Sequence, residues 1–130
     1  MPYVELHCHS GFSFLDGASH PQELAVRAVE LGYPALALTD HNGLYGSMEF
    51  AQAAADLDLN AIIGAEVTLQ DGSHLTLLAE NQRGYANLSR LVSHGYTDGD
   101  RRDPGLDPGR IAEHAEGLIL LTGCRHGRLA

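Results

Sequence analysis

The residues of this 130-residue chain best equipped for chemistry fall in six short clusters. His7-Cys8-His9 comes first, with Asp16 following in a glycine-bounded loop. In an extended segment alternate side chains share a face, so His7 and His9 point one way and Cys8 the other. Two imidazoles with a nearby carboxylate could begin a metal site; in a chain with eight histidines they could also be coincidence. His41 lies in Asp40-His41-Asn42-Gly43, which reads equally as a turn whose Asp and Asn bond their own backbone. Glu66 sits in an apolar run, where a carboxylate is costly to bury unless it is paired. His74 could be a ligand or a hairpin surface residue. Cys124 could be a thiolate ligand or a small buried apolar side chain.

The elements that would carry these residues read as follows. Residues 3–6 suit a short strand. Ser19 suits a helix N-cap, with Pro21 in the first turn and Glu23 at the positive end. Apolar Leu24, Val26, Ala28, Val29 and Leu31 form a helical stripe that stops at Gly32. Residues 34–39 are a nearly all-apolar second strand, as expected where both sheet faces are covered. An Ala-rich helix spans 46–57 and a third strand spans 61–69. Asp71-Gly72 is a hairpin turn, and 74–79 is the returning strand. A helix over 83–94, an exposed loop over 98–108 and a short helix over 108–114 precede a buried strand over 117–124. This βα series predicts a parallel sheet with right-handed crossovers.

Position makes the clusters informative together. His7 and His9 end the first strand, His41 follows the second, and Glu66 is late in the third. His74 opens the strand returning from its hairpin, and Cys124 ends the last. The C-terminal ends of parallel barrel strands share one face, so all of these, with Asp16, converge on one rim. Imidazoles, carboxylates and a thiolate suit Zn, Mn or Fe rather than Ca. The set exceeds the four ligands of one structural zinc, so two or three divalent ions sharing carboxylates fit better. Such clusters activate water and clamp a phosphate for in-line displacement. Asp40 could orient the His41 imidazole from behind or cap a helix. His20, at a helix start, is a poorer candidate, His94 and His114 read as surface residues near helix ends, His126 has no reading, and Cys8 is assigned to packing.

Composition narrows the function classes. The net charge of −9 argues against a free-standing nucleic-acid binder, which needs a basic stripe, but not against a domain beside nucleic acid that another domain grips. No apolar run approaches the ~20 residues that span a bilayer. The first residues do not have the pattern of a secretory signal. Two cysteines among eight histidines do not suggest a disulfide framework, so the expected compartment is a reducing cytoplasm.

The motifs His7-Cys8-His9-Ser10, Leu15-Asp16-Gly17, Leu38-Thr39-Asp40-His41, Ile63-Gly64-Ala65-Glu66, the run from His74 to Asn81 and Leu121-Thr122-Gly123-Cys124 resemble the PHP (polymerase and histidinol phosphatase) domain over nearly the whole chain. Gly84-Tyr85-Ala86-Asn87-Leu88, and the stretch from His114 to Leu120, are similar to the N-terminal domain of bacterial C-family DNA polymerases of the polymerase III α type. So are Asp16 and Cys124, which stand where small PHP phosphatases more often have histidine. The stretch from Leu15 to Pro21 and the short hairpin after Glu66 are more similar to the error-prone branch.

The resemblance implies an α/β fold, the N-terminal part of a distorted seven-stranded βα barrel with a trinuclear metal site. It implies that His7, His9, Asp16, His41, Glu66, His74 and Cys124 match seven of nine metal ligands. The final Asp-x-His pair has no counterpart before Ala130. Residues 1–130 therefore read as an incomplete PHP domain without a polymerase core. The implied parent is a DNA-directed DNA polymerase whose PHP domain hydrolyses phosphoesters, including 3′→5′ exonuclease proofreading, with DNA and other polymerase domains as partners. The rival readings are a metal-stabilised structural domain without catalysis and a free-standing histidinol-phosphatase-like enzyme.

Overall fold

The computed structural model describes residues 3–13 and 19–121. Its elements run α1 (Pro21–Glu30), β1 (Ala35–His41), α2 (Ser47–Asp56), β2 (Asn60–Thr68), β3 (His74–Ala79), α3 (Gln82–Asp98), α4 (Gly109–Glu113) and β4 (Leu118–Leu121). The strands form one sheet in chain order, β1-β2-β3-β4. Leu36 and Leu38 of β1 pack with Ala25, Ala28, Phe50, Ala54 and Leu59 in one core. Ala65, Val67, Leu75 and Leu77 pack with Leu88, Leu91 and Leu106 in a second. Strand alternation and register place both cores on one sheet face. The opposite face carries buried Ala37, Thr39 and Leu78 and, beyond them, His41, Glu66, Thr76 and His74.

The sheet is mixed: the reversal of β3 after the Asp71-Gly72 hairpin is as expected, whereas β4 was expected to extend a parallel series and instead pairs antiparallel with β3. β1 and β2 are parallel, but β3 is antiparallel to both β2 and β4. The reason is the tight turn between β2 and β3, which is too short for a crossover. Gly72 takes a positive φ of 84° there, and Ser73 N–H donates to Asp71 Oδ1 at 2.9 Å. Because β3 runs backwards, its first residue, and not its last, stands beside the end of β2.

The expected first strand is reduced to a single bridge between Glu5 and Leu36. Side chains compete for its backbone. His7 N–H donates to Glu5 Oε1, Cys8 N–H to Thr39 Oγ1 and Ser10 N–H to Asp40 Oδ1. The segment still runs alongside β1, since the Ala37 and Thr39 amides donate to the carbonyls of Glu5 and Cys8 at 2.9 and 2.7 Å. The N-cap of α1 is His20 and not Ser19; Pro21 is the first helical residue, and Glu23 Oε1 accepts the His20 N–H at 3.4 Å. β4 has β3 as its one described neighbour, so it is not the buried strand that its composition suggests: Ile119 and Leu120 are 43% and 45% exposed.

Candidate metal centre

Parallel register sets the site. His41 is paired with Glu66 across β1 and β2, and Glu66 with Thr76 across β2 and β3, so the three side chains stand in one row. His74 lies two residues from Thr76 on the same face of β3. Asn42, immediately after His41, extends the β1–β2 pairing with its side chain. Its Nδ2 donates to Thr68 Oγ1, its Oδ1 accepts the Thr68 N–H, and its carbonyl accepts the Tyr96 hydroxyl at 2.7 Å. These cross-strand bonds make Asp40-His41-Asn42-Gly43 part of the strand end and not merely a self-bonded turn.

Glu66 is the hub. Its side chain is 2% exposed, and four imidazoles surround its carboxylate. His7 Nε2 lies 3.1 Å from Oε1 and His9 Nε2 lies 3.2 Å from Oε2. His41 Nδ1 lies 2.7 Å from Oε2, and His74 Nδ1 lies 3.8 Å from Oε1. The rings are also mutually packed, with His9 and His41 centroids 4.3 Å apart. Burial pushes the Glu66 carboxyl up, but the close imidazoles of His41 and His9 outweigh it and hold the group well below the usual carboxylate range. The pair at His7 and His9 therefore reaches one target from one face, as strand alternation predicts.

Of the two readings of Asp40, the helix cap does not hold. Asp40 is a strand residue, so it caps no helix. Its carboxylate accepts from Ser10 N–H at 2.6 Å and from the Ser10 and Ser13 hydroxyls at 2.7 Å each. Ser13 Oγ in turn accepts the His41 N–H at 3.0 Å. Asp40 thus ties the turn after His9 to the end of β1, and positions His41 through its backbone. Sequence reasoning missed Ser10 and Ser13. The available signal was two small hydroxyls three residues apart directly after His9, opposite a buried acid. It also missed Thr76, which follows His74 by two residues and so shares its face.

The remaining candidates separate. Asp16 and Cys124 lie outside the described residues, as does His126. His94 and His114 pair with each other, centroids 5.4 Å apart, away from this cluster. Cys8 packs against the core under β1, and burial first, then the charges of Glu5 and Asp40, push its thiol up to about 11. Its thiolate fraction at pH 7.5 should fall on the order of 100-fold below that of a free thiol. Peptide mapping after iodoacetamide treatment should accordingly find Cys8 nearly unlabelled in the native chain and labelled after unfolding; rapid native labelling would contradict this burial.

The arrangement fits divalent cations. His7, His9 and Glu66 offer ligand atoms within 4.8 Å of one another, and so do His41, Glu66 and His74, so the carboxylate is common to two potential sites. His7 Nε2 and Glu66 Oε2 are buried and make no well-directed hydrogen bond among the described residues, despite their close neighbours. Buried polar atoms brought together without hydrogen-bond geometry suit a shared cation better than shared protons. Imidazole and carboxylate donors match first-row divalent ions. An α/β domain with a mixed sheet thus gathers four imidazoles around one buried carboxylate, a candidate site for divalent metal.

The chain belongs to the PHP domain family, whose profile matches residues 5–130. It is 46% identical to an error-prone DNA polymerase of Cutibacterium acnes over 98% of the chain and 12% of that protein. It is 41% identical to the DNA polymerase III subunit alpha of Treponema pallidum over 99% of the chain and 12% of that protein. The chain thus spans about an eighth of the length of these relatives. Among solved structures it shares its fold with a two-domain protein of Bacteroides vulgatus described as containing a predicted PHP-like metal-dependent phosphoesterase. That match has a TM-score of 0.53 and 22% identity, and covers 88% of the chain and 41% of the other. No helix among the described residues is long and apolar enough to cross a membrane.

Proposed function

We propose that this domain is the metal-dependent phosphoesterase part of a bacterial DNA polymerase of the error-prone or polymerase III α type. It would act in the cytoplasm on the 3′ ends of DNA held by the rest of the polymerase. His7, His9, His41, Glu66 and His74, completed by Asp16 and Cys124, are the proposed ligands for two or three Zn, Mn or Fe ions. The observation that carries this reading is the single buried carboxylate shared by two ligand groups. Bound cations supply the positive charge that holds a phosphate group and activates a water for in-line displacement. The chain's own part is to hold the imidazoles aimed inward at one carboxylate. Glu66 keeps its charge despite burial, and the Asp40–Ser13 link holds the backbone of His41 in place. The similarity to named DNA polymerases supports DNA as the substrate.

The test is hydrolysis of 5′-labelled single-stranded DNA by the chain with Mn²⁺ or Zn²⁺. Shortening from the 3′ end is expected, abolished by EDTA and reduced by on the order of 100-fold or more in His9→Ala. Equal cleavage by the parent and by His9→Ala would reject the catalytic reading.

A further inference from the structure

One polar atom of the site row has no role in the arrangement above. Thr76 is 1% exposed, and its Oγ1 makes no hydrogen bond among the described residues. It is the register partner of Glu66 on β3, directly across from the carboxylate on the side away from His41. Its own strand places His74 on the same face two residues earlier. A buried hydroxyl with no partner is costly relative to one that is bonded. A valine would fill the same space in a strand without that cost. The hydroxyl is therefore unexplained by packing.

The carboxylate beside it explains it. Without cations, the Glu66 oxygens are held by approach of His7, His9, His41 and His74. An imidazole nitrogen whose lone pair faces a cation is no longer available to hold the carboxylate. The carboxylate then needs another donor to fix its direction, and ligating carboxylates are generally hydrogen-bonded from behind. Thr76 is the neighbouring donor without a partner among the described residues. We propose that Thr76 is a positioning residue of the metal centre, its hydroxyl donating to the Glu66 carboxylate when the surrounding imidazoles turn to cations. This rests on the metal-centre reading above and assigns Thr76 no contact with substrate.

The experiment compares the parent with Thr76→Val, which keeps shape and removes the hydroxyl, and with Thr76→Ser, which restores it. Thr76→Ala is the second deletion should the valine chain not fold. Thermal midpoints are measured in EDTA, and Mn²⁺ affinity by calorimetry on the stripped chain. In EDTA the valine variant should melt at or above the parent, because an orphaned hydroxyl is gone. Its Mn²⁺ affinity should fall by about 10- to 100-fold, the usual effect of removing a ligand's supporting hydrogen bond. Thr76→Ser should bind nearly as the parent does. Parent-like affinity in the valine and alanine variants, or an EDTA midpoint lowered in the valine variant as for an ordinary packing defect, would overturn the role of Thr76 alone. Absence of Mn²⁺ binding by the parent would overturn the metal centre and Thr76 with it.

Discussion

Glu66→Gln is expected to weaken Mn²⁺ binding by more than about 100-fold, a larger loss than removal of any single histidine around it. The reason is connectivity. Each of His7, His9, His41 and His74 contributes one ring nitrogen, whereas both oxygens of Glu66 face imidazoles and belong to two ligand groups. Glutamine keeps the shape but presents an amide nitrogen where an anionic oxygen is needed. Calorimetry at pH 8 on chelator-stripped protein makes the comparison, and near-parent affinity in the glutamine variant would remove Glu66 from the centre.

The same substitution has an acid-side signature. Burial raises the Glu66 carboxyl, and the His41 and His9 imidazoles lower it further than burial raises it, so its folded value lies below its unfolded one. A lowered carboxylate contributes stability that is full above its unfolded value of about 4.3 and is lost as pH falls through the folded value. In the metal-free state the parent should therefore lose stability more steeply than Glu66→Gln below about pH 4. Acid titrations of the two chains followed by circular dichroism check this.

Gly84→Ala is expected to destabilise the chain by about 3 kcal/mol, close to 10 °C in melting midpoint for a domain of this size. Gly84 lies in the first turn of α3, against the turn that leads into β4. A Cβ there would overlap the Gly117 carbonyl oxygen and stand 2.6 Å from the Gly117 carbonyl carbon. Neither obstacle is a flexible side chain. Gly117 cannot give way easily. It holds a φ of 81°, its carbonyl accepts the Glu80 N–H at 2.8 Å, and the preceding Glu116 carbonyl accepts from Asn87 Nδ2 at 2.8 Å. Gly95, on the same helix, is the control: nothing lies within 4 Å of a Cβ there. Gly95→Ala should be neutral or stabilising by up to about 1 kcal/mol, through helix propensity. Of two identical substitutions on one helix, only Gly84→Ala should thus lower the midpoint, which denaturant or thermal melts resolve. An unchanged midpoint for Gly84→Ala would mean that the α3–β4 seam is not tight.

What could be read in advance depended on how local the determinants were. β3 matches its expected span of 74–79, because its apolar run and the Asp71-Gly72 turn are contiguous in the chain. Alternation alone put His7 and His9 on a common face, and both do reach Glu66. The first strand was not legible as a bridge, since its amides are claimed by Thr39 and Asp40, some 30 positions away, as well as by the neighbouring Glu5. The part played by Asp40 was hidden for the same reason: its partners Ser10 and Ser13 lie 30 and 27 positions earlier. The exposure of Ile119 and Leu120 follows from the position of β4 in the strand order, which composition does not encode. The convergence of His7, His9, His41, Glu66 and His74 was legible, but the shared carboxylate at their centre required the register of β1 with β2.

The reversed course of β3 also bears on the order in which the site can assemble. It brings His74 back to Glu66 after only eight residues, whereas His41 is 25 residues from Glu66, and His9 and His7 are 57 and 59. Closing a chain segment costs more conformational entropy as it lengthens, and a hairpin can form in roughly 1–10 μs. Glu66 and His74 are thus the pair that meets earliest and most cheaply in entropy. His41 joins when β1 pairs with β2, and the N-terminal histidines come last, brought in by a segment that holds β1 through one bridge and hydrogen bonds to Ala37, Thr39 and Asp40. A cation present during folding would first meet a two-ligand half-site on one hairpin, and would tighten its hold as each longer loop closed.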